Sequence, residues 1–502
     1  MTRPKMKRLA FLILLLLLVS SSFALSSDPN EAKEASSENV HPPRTVDDPR
    51  IEVLLEQLDG ISPHEAPSLP LRQDRNYANT ASDVEPFSGV TPYKEHFLEQ
   101  MEYLGPGRAK PEPEDLESVK LGFIGPIMAT VSVATGGGKQ EIPLGIQMLQ
   151  GARLAVEQAN ERGGYLKRDL PFELVISNDN GLWGASGNEI VDMAYKDKVW
   201  AILGTIDGAN SHIAIRVALK AEIPMMNSGD TDPTFIETNI PWVFRCISDD
   251  RQMSYLLADY LFRKMKYEKV GVIRSSSRYG RFGIREVRDS ARRLGRPLTL
   301  EMAYPLGEED FSLQLERLQE AGSEVIVHWG NAEAGAKILT QMREMGMEQP
   351  FYGCDRHVSD SFLEIAKNNL DNAMFVYPWN PERNDARLAA FNQAFQERFG
   401  VKPDTYAAHA YDGMNMLIWA IQVAGLNRAK IRDVLAYREK PWPGVVGDIK
   451  FSAALDNTGP VTMTRHVDGE WKFFTREELD IPKGYISPDS RVERQADASD
   501  EK

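Results

Sequence analysis

Cysteine is almost missing from this chain: Cys246 and Cys354 are the only two in 502 residues. A disulfide-built fold and a four-cysteine metal site are therefore excluded. Basic excess is missing too. Lys plus Arg number 58 against 73 Asp plus Glu, a net charge of −15. Nucleic acid needs a positive field, so the balance argues against such a partner. Only one long apolar run occurs, at 9–19, and its 11 residues fall short of a membrane span, which needs about 20. Enzyme signatures are absent as well. Gly136-Gly137-Gly138-Lys139 hints at a phosphate loop, but Val133 stands where its first glycine belongs and Gln140 replaces the Ser or Thr. No G-x-S-x-G and no His-Glu-x-x-His occurs. No cofactor and no metal is expected; Asp355 and His357 on one loop are the nearest thing to a ligand pair. Whether the two cysteines pair or stay as buried thiols is left open.

What is present reads as a core-forming protein, 42% apolar and 26% charged. The length suggests two to four folded units. Arg3, Lys5, Lys7 and Arg8 precede the apolar run, and Ser22-Phe23-Ala24 follow it. That is the layout of a secretory signal over 1–24, with an uncleaved anchor as the alternative. No lipid-accepting cysteine follows, so a soluble exported protein is expected. Residues 25–118 form an acidic extension with 12 prolines, 20 acidic and 8 basic residues. Such composition buries little apolar surface, and an extended or disordered leader is expected. Asp48-Pro49 and Thr91-Pro92 could each start a short helix.

From residue 119 onward, short apolar runs alternate with amphipathic helical patterns. Strands are expected at 119–126, 172–177, 200–203 and 224–227, with helices at 143–161, 185–197 and 209–221. The alternation restarts with strands at 269–274, 299–303, 325–329, 350–352 and 373–376. Helices at 280–294, 310–321, 333–345 and 384–399 lie between and after them. This is an α/β chain with two doubly wound parallel-sheet lobes, 119–248 and 249–376. Helices at 406–424 and 427–438 follow, then strands at 447–451, 461–465 and 471–474. Parts of 380–475 return to each lobe, and 476–502 is a polar tail.

Two such lobes place a cleft between them, faced by loops after strands. Four loops carry polar residues there. The first, 128–142, is long and rich in Thr and Gly. The second holds Asp207 and Gly208 just before a helix, where backbone N–H groups suit an anion; helix capping by Asp207 or Asn210 is the plainer role. The third holds Gly229, Asp230 and Thr231, with Asp232-Pro233 reading as a cap. The fourth offers Asp355, suited to an ammonium unless Arg356 pairs with it. Trp183, Trp329, Tyr377 and Trp379 stand at strand ends and could wall a pocket or simply fill core.

Residues 119–475 resemble the type I periplasmic solute-binding proteins, the leucine/isoleucine/valine-binding group of ABC importers. The resemblance rests on Gly125-Pro126, on 151–156 (GARLAV) with Asn160 and Gly163-Gly164, and on Ile223-Pro224, Phe244-Arg245, Tyr279-Gly280 and 406–413. It implies a three-segment hinge near 245–250, 375–380 and 445–460. It also implies that Gly208, Gly229 and Thr231 hold a ligand carboxylate and that Asp355 holds its ammonium. There are departures. Gly208 stands where the group usually has serine, Asp207 and Asp230 add acids, and the first loop lacks the usual aromatic residue. Two extra carboxylates suit a neutral polar or cationic ligand better than an anion.

The expected function is a binding module, not an enzyme, that delivers a small polar solute of amino-acid type to an ABC-type membrane permease. A sensor or partner-recruiting protein of the same fold is the alternative, motivated by 25–118. An exported enzyme finds no catalytic constellation to support it.

Overall fold

Strand β1, Val119–Gly125, shows why the chain folds in layers. Its apolar residues do not alternate with polar ones. Leu121 and Phe123 enter one core, and Ile124 enters another on the opposite face. A parallel sheet covered by helices on both faces demands such two-sided burial. The computed structural model describes residues 101–482, apart from 132–137, 167, 169, 180–182, 239 and 458. The expected signal sequence, both expected helix starts and the end of the tail lie outside the described residues.

The first lobe runs through β1, a hairpin of β2 (Met128–Val131) and β3 (Gly138–Glu141), α1 (Pro143–Glu161), β4 (Phe172–Asn178) and α2 (Trp183–Val191). It continues with β5 (Ile202–Leu203), α3 (Gly208–Ala221), β6 (Met225–Asn227) and β7 (Val243–Arg245). Its sheet has the order β4-β1-β5-β6-β7, all parallel. The second lobe holds α4 (Asp250–Ala258), β8 (Val270–Ser275), α5 (Arg278–Arg293), β9 (Leu300–Tyr304) and α6 (Ser312–Glu320). Then come β10 (Val325–Trp329), α7 (Ala332–Glu344), β11 (Phe351–Gly353), α8 (Asp360–Ala366) and β12 (Ala373–Tyr377). Its parallel strands run β12-β11-β10-β8-β9. Numbered within each lobe, both sheets read 2-1-3-4-5, the doubly wound order that puts ligand loops at the strands' carboxyl ends.

The chain then returns to the first lobe with α9 (Ala386–Phe399), α10 (Thr405–Ala424) and α11 (Arg428–Ala436). A small ribbon follows, β13 (Trp442–Gly444) with β14 (Gly447–Ile449). The last strands, β15 (Thr462–Val467) and β16 (Glu470–Phe474), add antiparallel to β12. Helix α10 is buried along nearly its whole length and packs on α1. Their backbones meet at Gly151, where a Cβ would lie 2.0 Å from the Ala407 carbonyl oxygen.

Most expected elements stand within two residues of where periodicity puts them. The helix expected at 185–197 is α2 followed by a π-helical stretch, Asp192–Asp197. Strand β7 and helices α4 and α8 have no counterpart among the expected elements; β7 and α8 are too short for a period to show, and α4 runs on into a π-helical stretch, Asp259–Lys264, that breaks its period. The first loop is largely the hairpin of β2 and β3, tied to β4 by Asn178, whose Oδ1 accepts from the Ile127 N–H at 2.8 Å.

The end of the acidic extension is docked, not loose. The Met101 N–H donates to the Ala453 carbonyl at 3.0 Å, and the Tyr103 ring meets Trp242 edge-on at 4.6 Å. The Asn427 amide donates to the carbonyls of Gly107 and Lys110 at 3.0 and 2.9 Å. These are single long-range contacts, which no local pattern announces.

Arg245 ties two crossings together. Its Nε and Nη2 donate to Asp456 at 2.8 and 2.7 Å, and Nη2 also reaches Asp249 at 3.2 Å. The Asn457 N–H donates to the Arg245 carbonyl at 2.9 Å. Both cysteines are free and buried.

Candidate ligand-binding site

The second loop delivers Asp207 as the residue before α3, yet its side chain caps nothing. It reaches across to the second lobe, where Arg356 Nη2 donates to Asp207 Oδ1 at 3.2 Å. Gly208 follows. A Cβ there would lie 2.6 Å from Asp232 Oδ2 and 3.0 Å from Arg278 Nε. The bare glycine thus makes room for a second bridge between lobes, in which Arg278 Nε donates to Asp232 Oδ2 at 2.6 Å. Arg278 Nη2 also donates to Thr234 Oγ1 at 2.7 Å.

The third loop is organised by Asn227, whose Oδ1 accepts from the N–H groups of Gly229 and Asp230 at 3.0 and 2.7 Å. Gly229 packs on Ile206, 2.8 Å from where a Cβ would stand. Asp230 Oδ1 accepts from the Asp232 N–H at 3.0 Å. Burial, with the Asp232 charge added, pushes the Asp230 carboxyl up to about 7. The Thr231 carbonyl accepts from the Asp250 N–H at 2.8 Å, which joins this loop to the start of α4. Asp232 does cap its turn, since Oδ1 accepts from the Thr234 N–H at 2.9 Å.

The fourth loop brings Asp355 under two tyrosines. Tyr279 donates to Oδ1 at 2.5 Å, and Tyr406, at the start of α10, donates to Oδ2 at 2.8 Å. A carboxylate of the second lobe is thus gripped from both sides. Arg356 does not pair with it. It lies flat over the Tyr279 ring at 3.8 Å and donates from Nη1 to Asn331 Oδ1 at 2.8 Å.

Behind the loop runs a buried chain of polar groups. His357 Nδ1 lies 3.0 Å from the Cys354 carbonyl, so it carries a proton. His357 Nε2 therefore accepts from His328 Nδ1 at 2.7 Å, and His328 Nε2 accepts from the Tyr304 hydroxyl at 2.8 Å. Burial drives the His357 pKa down to about 3 and that of His328 well below its usual value, so both rings are neutral. His357 is committed to holding the turn. Among the described residues, no group of three metal-ligating side chains assembles.

The aromatic candidates fare differently. Trp329 is fully buried one layer behind the site, its ring 6.4 Å from that of Tyr279 and pressed on Gly283 of α5. The Tyr377 hydroxyl accepts from the Thr405 N–H at 2.9 Å, at the first turn of α10. Trp379 is buried and donates from Nε1 to the Val445 carbonyl at 3.3 Å. Trp183 opens α2. The structure thus brings Asp207, Gly208 and Thr231 up to residues of the second lobe and Asp355 up to Tyr406 of the first, while Gly229 and Asp230 are held within their own loop and Trp329 and Tyr377 are buried. Sequence reasoning gave no role to Asp250, Arg278, Tyr279 or Tyr406. Tyr279 and Tyr406 sat inside quoted motifs, but nothing local says that both hydroxyls converge on Asp355.

The seam where the lobes meet can clamp a small polar solute through both. The family model described as "Periplasmic binding protein" matches residues 119–465. A Leu/Ile/Val-binding protein homolog 2 of Brucella abortus is 28% identical over 340 residues, covering 66% of this chain and 89% of that protein. An amino acid binding protein of Pseudomonas aeruginosa is 26% identical over 336 residues, covering 65% and 86%. Among solved structures, a branched-chain amino acid transporter substrate binding protein of Streptococcus pneumoniae, in complex with isoleucine, has a TM-score of 0.64 at 22% identity. It covers 71% of this chain and 99% of its own. A solute binding protein of R. palustris, in complex with benzoate, has a TM-score of 0.63 at 16% identity, covering 74% and 98%. The chain belongs to the periplasmic binding protein family, as a type I member of the leucine/isoleucine/valine-binding kind.

Proposed function

We propose that this chain is an exported solute receptor that encloses a small polar molecule of amino-acid type and hands it to an ABC-type permease. The observation that carries the reading is Asp355, a second-lobe carboxylate held by Tyr279 from its own lobe and by Tyr406 from the first. A carboxylate so placed can accept from a ligand ammonium, and Asp250, close to it, also meets the Thr231 side chain of the first lobe. Closure follows from differential binding: a ligand that touches both lobes favours the closed arrangement over the open one. The signal layout over 1–24, with its apolar run at 9–19, supports export. No helix among the described residues is long and apolar enough to cross a membrane. Isothermal titration against an amino-acid and amide library tests the reading. Micromolar binding that is lost in Asp355→Ala is the expected result; silence across the library from folded protein would refute it.

The partner-recruiting alternative rests on the acidic extension, of which the described end, 101–118, packs on the first lobe. Deleting the remainder, 25–100, should leave ligand affinity unchanged and abolish capture of a partner if that alternative holds.

A further inference from the structure

Asp250 opens α4 directly after the first crossing and is wholly buried, yet no protein donor meets either carboxylate oxygen in hydrogen-bond geometry. The Thr231 side chain approaches it from the first lobe. Asp355 and Tyr279 face it from the second, and Asp232 and Asp249 add negative charge nearby. None of the groups acting most strongly on it is a cation. The surrounding acids are already matched: Asp232 to Arg278, Asp207 to Arg356, and Asp249 to Arg245. Asp250 has no such match, and Asp355 has two hydroxyl donors and the field of Arg356 but no ion pair with it. Asp230 Oδ2 in the adjoining loop is a further buried acceptor without full hydrogen-bond geometry. Among the buried donors without a partner is Arg356 Nε, along with the hydroxyls of Ser228 and Ser254.

A buried carboxylate without donors is costly, and a cation that brings its own N–H groups removes that cost. A purely apolar ligand side chain placed against Asp250 would leave both oxygens unmet. We propose that the cleft takes a small organic cation with two protonated nitrogens, a diamine or a basic amino acid, one nitrogen held at Asp355 and the other at Asp250. A carboxylate on the same ligand would meet Arg356 Nε. This assignment rests on the solute-capture reading above and narrows it to one ligand class. A quaternary ammonium fits less well, because it carries no N–H to satisfy the Asp250 oxygens.

Two matched ligand pairs test it on the unaltered protein: lysine against norleucine, and 1,4-diaminobutane against 1-aminobutane, each by titration calorimetry. The dication of each pair should bind at least about tenfold tighter, about 1.4 kcal/mol. Asp250→Asn should remove that preference, bringing the two members of each pair to within about threefold of each other; circular dichroism verifies its fold, and the matched pairs decide the question if it does not fold. Norleucine or leucine binding as tightly as lysine overturns this inference and leaves solute capture standing. So does a dication preference that persists in a folded Asp250→Asn protein. No binding by any compound, charged or neutral, removes both.

Discussion

Asp230 is the residue whose chemistry depends most on where the fold puts it. In the unfolded chain it titrates near 4 as an ordinary aspartate. In the folded protein, burial and Asp232 raise it to about 7. The folded state therefore binds a proton that the unfolded state releases between about pH 4 and 7. Stability from this residue is full below that window and falls as pH rises through it, by on the order of 2–4 kcal/mol. Asp230→Asn keeps the Oδ1 acceptor for the Asp232 N–H and carries no charge. Its melting temperature should exceed the parent's by several degrees at pH 8, and the two should converge near pH 4; calorimetric scans across pH measure this. A parent protein that melts no lower than Asp230→Asn at pH 8 would show that Asp230 carries no such penalty.

At the scale of elements, the α1–α10 contact decides the first lobe. The motif at 151–156 reads as an ordinary amphipathic helix, and its glycine looks costly inside one. The packing explains it, because the Ala407 backbone occupies the space a side chain would take. Gly151→Ala gains helix propensity but forces the two helices apart, a net cost of about 1–3 kcal/mol. Urea denaturation should show a lower midpoint with an unchanged slope. The hinge is set by a different kind of contact, the Arg245 fork on Asp456. Its two partners are 211 residues apart in the chain. Phe244-Arg245 was legible as a motif, whereas its bond to Asp456 was not, because nothing in either segment names the other.

For the whole molecule, the balance between open and closed lobes runs through Gly208. Its neighbours there are Asp232 of its own lobe and Arg278 of the other. Gly208→Ser inserts a hydroxymethyl group into the space of that ion pair. The expected outcome is a shift toward open lobes, read as a larger radius of gyration in small-angle scattering and as weaker ligand binding. Unchanged scattering would mean that the Arg278–Asp232 pair yields without moving the lobes.

The sequence by itself determined the layered α/β architecture, the two lobes and most element positions. Strand and helix periods are written in consecutive residues, and burial on both faces leaves its mark as unbroken apolar runs. It also placed Gly208, Gly229, Thr231 and Asp355 on loops after strands, since topology alone turns those loops toward the cleft. The tertiary structure decided which acids remain uncompensated. Asp207 and Asp232 read from the sequence as helix caps, and only the fold brought Arg356 and Arg278 of the second lobe against them. Pairing of charges depends on distance in space, and α4 carried Asp250 into the seam as a first-turn residue indistinguishable by pattern from its neighbour Asp249, the helix cap.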